Sequence, residues 1–251
     1  MSLSSSENDS LYISFLSLYQ KNRTPPDQFI VPAEQTGLIR PLTLWVIEAA
    51  IRQCRVWGQE GRAFPISVNV SARNLIDPQL PDQIARLLQT HDISPRRLEL
   101  EITESAIMAD PAKAMEILTH FNRIGIALSI DDFGTGYSSL GYLKRLPVDT
   151  IKIDKSFVKN MTADENDAMI VRSTIDLGHN LGLRVIAEGV ENQEIWDKLV
   201  ALGCDAVQGY YISRPIPAAE LERWLAEVAP QKGWTIGTMS GDKEASGHQI
   251  Q

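Results

Sequence analysis

The sequence predicts an α/β fold of the (β/α)8 TIM-like barrel class, N-terminally incomplete or rearranged, and three observations carry that prediction. From Phe64 onward, short β-rich runs alternate with amphipathic helical stretches, which implies parallel strands joined by right-handed crossovers. Each run ends on a polar or ionisable residue, as strands do where a barrel gathers its functional groups at one mouth. The GxGxxG and GxxxxGKS/T turns that mark the best-known open doubly wound sheets are absent, so the barrel is favoured over that alternative.

Taken in order, residues 1–24 read as an irregular segment in place of the first strands. Residues 4–10 are polar and do not read as a strand, while residues 11–19 (LYISFLSLY) alternate enough for one improvised strand. A helix is expected over about residues 42–57. Six strand–helix units follow. Their strands are expected at 66–71 (ISVNVS), 98–103 (LELEIT), 127–133 (ALSIDDF), 150–154 (TIKID), 184–190 (RVIAEGV) and 206–212 (AVQGYYI). Helices are expected at 80–91, 111–124, 164–181 and 193–202, with Gly125 and Gly203 placed to close two of them. Residues 25–229 form the expected barrel domain. Residues 230–251 mix Gly, Ser, Lys and polar residues without periodicity and read as a disordered tail.

The formal net charge of −8 argues against a nucleic-acid polymer as partner, because nothing would replace the phosphate counterions. A small anionic ligand stays open, since bound metal ions can invert the local charge. Two cysteines without CxxC spacing, Cys54 and Cys204, point to a reducing compartment and to buried apolar roles. With no membrane segment of ~18 apolar residues and no signal-peptide pattern, the chain reads as soluble and cytoplasmic. His91, His120, His179 and His248 lack a second ligand at metal spacing and read as surface or cap residues. Trp45, Trp57, Trp196 and Trp224 recur on expected helices as packing residues.

The strand tips are Asn69, Glu101, Asp131 with Asp132, Lys152, Glu188 and Gln208. Polar strand ends are ordinary one at a time, but six in a row on apolar strands point to a site. Several carboxylates in one small space would force protonation unless compensated. Mg2+ or Mn2+, hard cations that prefer oxygen, are the natural compensation. Asp131 and Asp132 would normally face opposite sides of a strand. Both could turn inward where the strand breaks into Gly134-Thr135-Gly136, and a two-metal site of this kind suits in-line attack on a phosphodiester. Lys152 adds positive charge for the nucleophile or the phosphate, and Glu188 is placed as a base or second-metal ligand. Tyr210 and Tyr211 are read first as packing residues, with contact to a ligand at the mouth as the alternative.

Several segments resemble the EAL family. They are Asn69-Val70-Ser71, Glu99-Leu100-Glu101-Ile102-Thr103-Glu104-Ser105, Asp131-Asp132-Phe133-Gly134-Thr135-Gly136-Tyr137-Ser138-Ser139-Leu140, Ile151-Lys152-Ile153-Asp154, Ala187-Glu188-Gly189-Val190-Glu191 and Gln208-Gly209-Tyr210. Pro25-Pro26-Asp27-Gln28-Phe29-Ile30, Ala33-Glu34-Gln35-Thr36-Gly37-Leu38-Ile39 and Ser213-Arg214-Pro215-Ile216-Pro217 extend the likeness. The resemblance implies a phosphodiesterase that linearises cyclic di-GMP with Mg2+ or Mn2+. Asn69, Glu101 and Asp131 would hold one metal, with Asp131, Asp132 and Glu188 at a second. Lys152 and Glu188 would be the catalytic pair. Glu104 would pin the loop after Asp132, an element linked in this family to a homodimer, while Asp154, Glu191 and Gln208 would complete the pocket.

One part of the pattern is missing. The Glu-Ala-Leu triad should fall near residues 11–13 and its arginine near Phe15, yet neither is present, and the first barrel strand has little chain left to occupy. The retained site residues support a phosphodiesterase whose activity is weak or lost for want of the first metal-ligand glutamate. The absent triad and arginine support a non-catalytic cyclic di-GMP-binding or protein-interaction domain with a regulatory partner, and the short N-terminus supports a fragment that works inside a larger assembly.

Overall fold

In the computed structural model, which describes residues 2–4, 13–14, 26–136 and 140–227, alternation in the sequence becomes one sheet ringed by helices. The strands are β1 (Ser2–Ser4), β2 (Ile13–Ser14), β3 (Ile66–Asn69), β4 (Leu98–Thr103), β5 (Ala127–Phe133), β6 (Thr150–Ile153), β7 (Arg184–Glu188) and β8 (Ala206–Gln208). Their spatial order is β1-β8-β7-β6-β5-β4-β3-β2. From β2 to β8 every pairing is parallel and joins neighbours in the chain, which is TIM-like barrel topology. β1 instead runs antiparallel to β8, and no ladder joins it to β2 among the described residues.

The helices are α1 (Pro26–Thr36), α2 (Ile39–Gln59), α3 (Leu80–Thr90), α4 (Glu104–Ala109), α5 (Pro111–Ile124), α6 (Leu140–Leu143), α7 (Lys155–Asn160), α8 (Glu165–Asn180), α9 (Gln193–Ala201) and α10 (Ala218–Glu227). Local chemistry sets several of their ends. Asp110 caps α5 by accepting from the Lys113 amide, Pro111 opens it, and Gly125 closes it at φ 91°, a left-handed conformation that suits glycine. Asp164 caps α8 and Asn192 caps α9 in the same way. Expected and observed helices differ mainly at their ends; α2 begins at Ile39, before the expected start.

Side chains on each strand form two rows. One row is apolar: Ile66 and Val68, Leu98, Leu100 and Ile102, Leu128 and Ile130, Ile151 and Ile153, Val185 and Ala187. It shares a core with Ile47 and Ile51 of α2, Ile84 of α3, Phe121 of α5, Ile175 of α8 and Leu199 of α9. The alternate row is largely polar on β3 to β6, with Ser67, Glu99, Glu101, Ser129, Asp131, Thr150 and Lys152 all buried, and continues into Ile186 of β7 and Ala206 of β8. Helix packing therefore stabilises the sheet from one side, while the other side is free to carry charge.

Three sequence expectations change. Ser2–Ser4, too polar and short to show a strand period, pairs with Ala206–Gln208. The improvised N-terminal strand is described at Ile13–Ser14, paired with Ile66 and Ser67; the rest of residues 11–19 lies outside the described residues. Strand segments expected to reach residues 71, 154, 190 and 212 end at Asn69, Ile153, Glu188 and Gln208. The expected tail at 230–251 and His248 lie outside the described residues.

Candidate functional site at the strand tips

The centre of the site is Lys152, near the end of β6 and 3% exposed. Its Nζ lies 2.9 Å from Glu101 Oε1, 2.5 Å from Glu188 Oε1 and 3.4 Å from Asp131 Oδ1. Burial opposes the charge of Lys152, but Glu101, Glu188 and Asp131 outweigh it and lift its pKa well above the ordinary value. Burial pushes Glu188 up to about 7, Lys152 pulling it down and the charges of Asp131 and Glu101 pushing it further up. One ammonium thus serves three carboxylates.

A bulge brings in a further acid. Ile130 pairs with Ile151 and Phe133 with Ile153, so Asp131 and Asp132 together stand opposite the single residue Lys152. Asp132 adopts φ 53°, left-handed for a non-glycine residue, and this turns it out of its expected side. The reversal expected at Gly134 therefore occurs inside the strand. Burial, then the charges of Asp131 and Asp154, push Asp132 up to about 6.

The remaining candidates occupy distinct places. Asn69 is exposed at the β3 tip, and its Nδ2 donates to Glu101 Oε2 at 3.2 Å. Glu104, buried at the start of α4, accepts from the Gly134 and Gly136 amides at 3.1 and 3.2 Å. A Cβ on Gly136 would stand 2.9 Å from that carboxyl group, so glycine permits the loop to close on it. Asp154 caps α7 through the Ser156 amide and hydroxyl. Burial raises its pKa, but those Ser156 bonds outweigh burial and leave it lowered. Gln208 stands in register beside Glu188. Glu191 is not in the buried cluster; it pairs at 2.6 Å with Lys159 at the half-exposed rim.

The aromatic and thiol expectations divide. Tyr210 is 57% exposed with the Arg214 guanidinium 4.9 Å above its ring, so it is not a core residue. Tyr211 bonds to Gln193 and lies against Trp196. Trp57 is buried as expected, whereas Trp45 is half exposed. Burial raises Cys54 to about 11 and Cys204 to about 12, which leaves both thiols protonated.

Among the described residues no three His, Cys, Asp or Glu side chains form a ready metal-holding group. The donor chemistry nevertheless fits a hard divalent cation. Asn69, Glu101, Asp131 and Asp132 offer oxygens on adjoining tips, and the acids around Lys152 leave a surplus of negative charge.

Parallel strands with buried acids and a lysine at their C-terminal tips define a TIM-like barrel protein with a charged mouth. The chain belongs to the EAL domain family, whose model matches residues 12–215. It is 44% identical over 205 residues to the bifunctional diguanylate cyclase/cyclic di-GMP phosphodiesterase MucR of Pseudomonas aeruginosa, covering 81% of this chain and 30% of that protein. It is 41% identical over 207 residues to the signaling protein YkoW of Bacillus subtilis, covering 82% and 26%. The chain thus spans less than a third of the length of either relative. A solved structure described as the PaMucR phosphodiesterase in complex with c-di-GMP superposes with a TM-score of 0.77 at 42% identity, covering 82% of this chain and 83% of that one. The EAL domain of Mycobacterium smegmatis DcpA does so with a TM-score of 0.71 at 36% identity, covering 74% and 84%. No helix among the described residues is long and apolar enough to cross a membrane.

Proposed function

We propose that residues 25–229 form a cyclic di-GMP domain at the mouth of β3–β8, and that its metal-dependent phosphodiesterase turnover is slow. The observation that carries the reading is the bulge that sets Asp131 and Asp132 against Lys152, in one cluster with Glu101 and Glu188. The likeness to a phosphodiesterase solved with c-di-GMP supports the choice of ligand. Asn69, Glu101 and Asp131 would hold one Mg2+ or Mn2+, and Asp131, Asp132 and Glu188 a second. Such ions polarise the phosphodiester and lower the pKa of bound water. Lys152 donates from Nζ to orient the attacking water, and Glu188 acts at the second metal or as the base. Glu104 holds the 134–136 loop in place, while Gln208 lines the wall beside Glu188 and Glu191 stays at the rim. A cytoplasmic homodimer that answers to a regulatory protein completes this reading.

Slow turnover follows from the absence of any Asp or Glu in residues 11–25, where the family's triad belongs. Loss of a residue that merely orients a metal ligand costs about 10–100-fold in affinity or activity, and losing a ligand costs at least as much. The same absence favours the second reading, a domain that binds cyclic di-GMP without cleaving it. Replacing residues 1–23 with a segment that carries Glu-Ala-Leu and its arginine separates the two. Turnover should rise at least ~10-fold in that chimera and vanish again on Asp131→Asn. A native chain that already matches the chimera would sink the slow-turnover reading. A chimera that binds cyclic di-GMP but never cleaves it supports the second.

A further inference from the structure

We propose that Glu34 is a positioning residue for the Asn69 tip, acting through Ser71; the inference rests on the reading of the mouth given above. Among the described residues the β3 tip has no ladder partner on one side. β2 pairs with β3 only at Ile66 and Ser67, so among the described residues that ladder stops short of Asn69. On the other side the Val70 amide donates to the Glu101 carbonyl at 2.8 Å, carrying the β4 contact one residue past the tip. The chain then turns at Ser71. Its hydroxyl donates to Glu34 Oε1 at 2.7 Å, and the same Oγ accepts from the Arg73 amide at 3.2 Å.

Glu34 is half-buried on α1, so this bond ties a separate helix to the turn that leaves β3. A hydroxyl bonded to a carboxylate is charge-assisted and roughly twice as strong as a neutral pair. Because Ser71 donates one bond and accepts another, the tie fixes both its side chain and the backbone around it. The nearby Arg40–Asp77 contact, at 3.7 Å with a half-exposed guanidinium, is a weak substitute. Asn69 touches Glu101 at 3.2 Å, already a long bond, and a small displacement of the tip would break it. Glu34 thus supplies from a helix a restraint at the turn beyond the described β2 ladder.

The test uses the full chain and two readouts. Amide exchange at Val70 and Arg73 should quicken ~10-fold in Glu34→Ala and Ser71→Ala, because the turn opens locally. Glu34→Gln keeps an accepting carbonyl and should stay within about twofold of the parent. Arg40→Ala should leave both amides unchanged. Mn2+ affinity, read by calorimetry, should fall ~10-fold in Glu34→Ala and recover in Glu34→Gln. Ser71→Ala carries the test should Glu34→Ala fold poorly. Unchanged protection at Val70 in both variants, or an equal loss in Arg40→Ala, would overturn the proposal. A parent chain that binds neither Mn2+ nor cyclic di-GMP would instead remove the proposed function, while the exchange measurements still decide the role of Glu34.

Discussion

The wall formed by β4, β5 and β6 and the seam formed by β1 and β2 are built to different standards. The wall is long: its β4–β5 register runs unbroken from Glu99 opposite Ala127 to Thr103 opposite Asp131, and the β5–β6 ladder resumes past the Asp131–Asp132 bulge. The seam consists of Ile13–Ser14 against β3 and Ser2–Ser4 against β8. The buried charges at Glu99, Glu101, Asp131 and Lys152 stand on the wall, and no acid or base stands on either seam strand. Desolvated charges offset their cost only when partners are held in good geometry, and a one-residue slip would send each to the wrong face. Long ladders hold such geometry; short ones complete a sheet.

The sharpest way to break this contrast is Lys152→Met. It strands Glu101, Asp131 and Glu188 in a buried site, so urea unfolding should show a loss of about 3–5 kcal/mol. A loss comparable to that of a surface lysine would mean the cluster is wetter than its burial indicates. Next comes Glu104→Ala, which leaves two loop amides without their carboxylate. The expected cost is roughly 3 kcal/mol, with faster exchange at Gly134 and Gly136. Full protection of both amides in that variant would rule out the pin.

A third prediction concerns pH. Burial, then the charge of Glu101, push Glu99 from 4.5 to about 7, against the pull of Lys152 and a hydrogen bond from Ser67. The folded chain therefore holds this proton more tightly than the unfolded chain. The favourable contribution is full below about pH 4.5, and stability falls as pH rises from there through 7. Glu99→Gln stays neutral, so its stability should decline less over that window and exceed the parent's at pH 8 by on the order of 2 kcal/mol. Parallel curves for the two proteins would place the titration elsewhere. The smallest effect belongs to the seam. Deleting residues 1–14 removes, among the described residues, two short ladders and should cost about 1 kcal/mol, read as a small change in urea midpoint. A collapse of the whole fold on that deletion would erase the distinction between wall and seam.

Much of the wall was legible in the sequence, because strand period and tip polarity are local signals. Lys152, Glu101, Asp131 and Glu188 meet because the repeat puts each near the end of its own strand. The bulge was half legible: Ile-Asp-Asp-Phe cannot keep both apolar residues on the core side without an extra residue, and that conflict is its signature. Its location inside the strand was missed because Gly134 offered a more obvious break. Ser2–Ser4 has no alternation to read, and its partner lies at the far end of the chain. Glu34 was visible only as part of a resemblance, since its tie to Ser71 depends on where α1 comes to rest. Glu191 was grouped with the pocket by motif, but proximity in sequence to Glu188 did not carry it into the cluster.

The pairing of β1 with β8 has a further consequence in chain statistics. Ladders from β3 to β8 join residues about 20–35 apart, whereas Ser4 meets Ala206 across about 200 residues. With loop-closure entropy growing as the logarithm of length, that last contact costs roughly 2 kcal/mol more to close than its neighbours. That cost applies to closing the contact in the unfolded chain, so β1 is expected to pair after β2–β8 have formed and left only the short segment from Ser4 to Ile13 to close. The strand position it leaves beside β8 can be filled by the same segment of another molecule, which closes no loop. Such an exchange would make occupancy of that position depend on protein concentration.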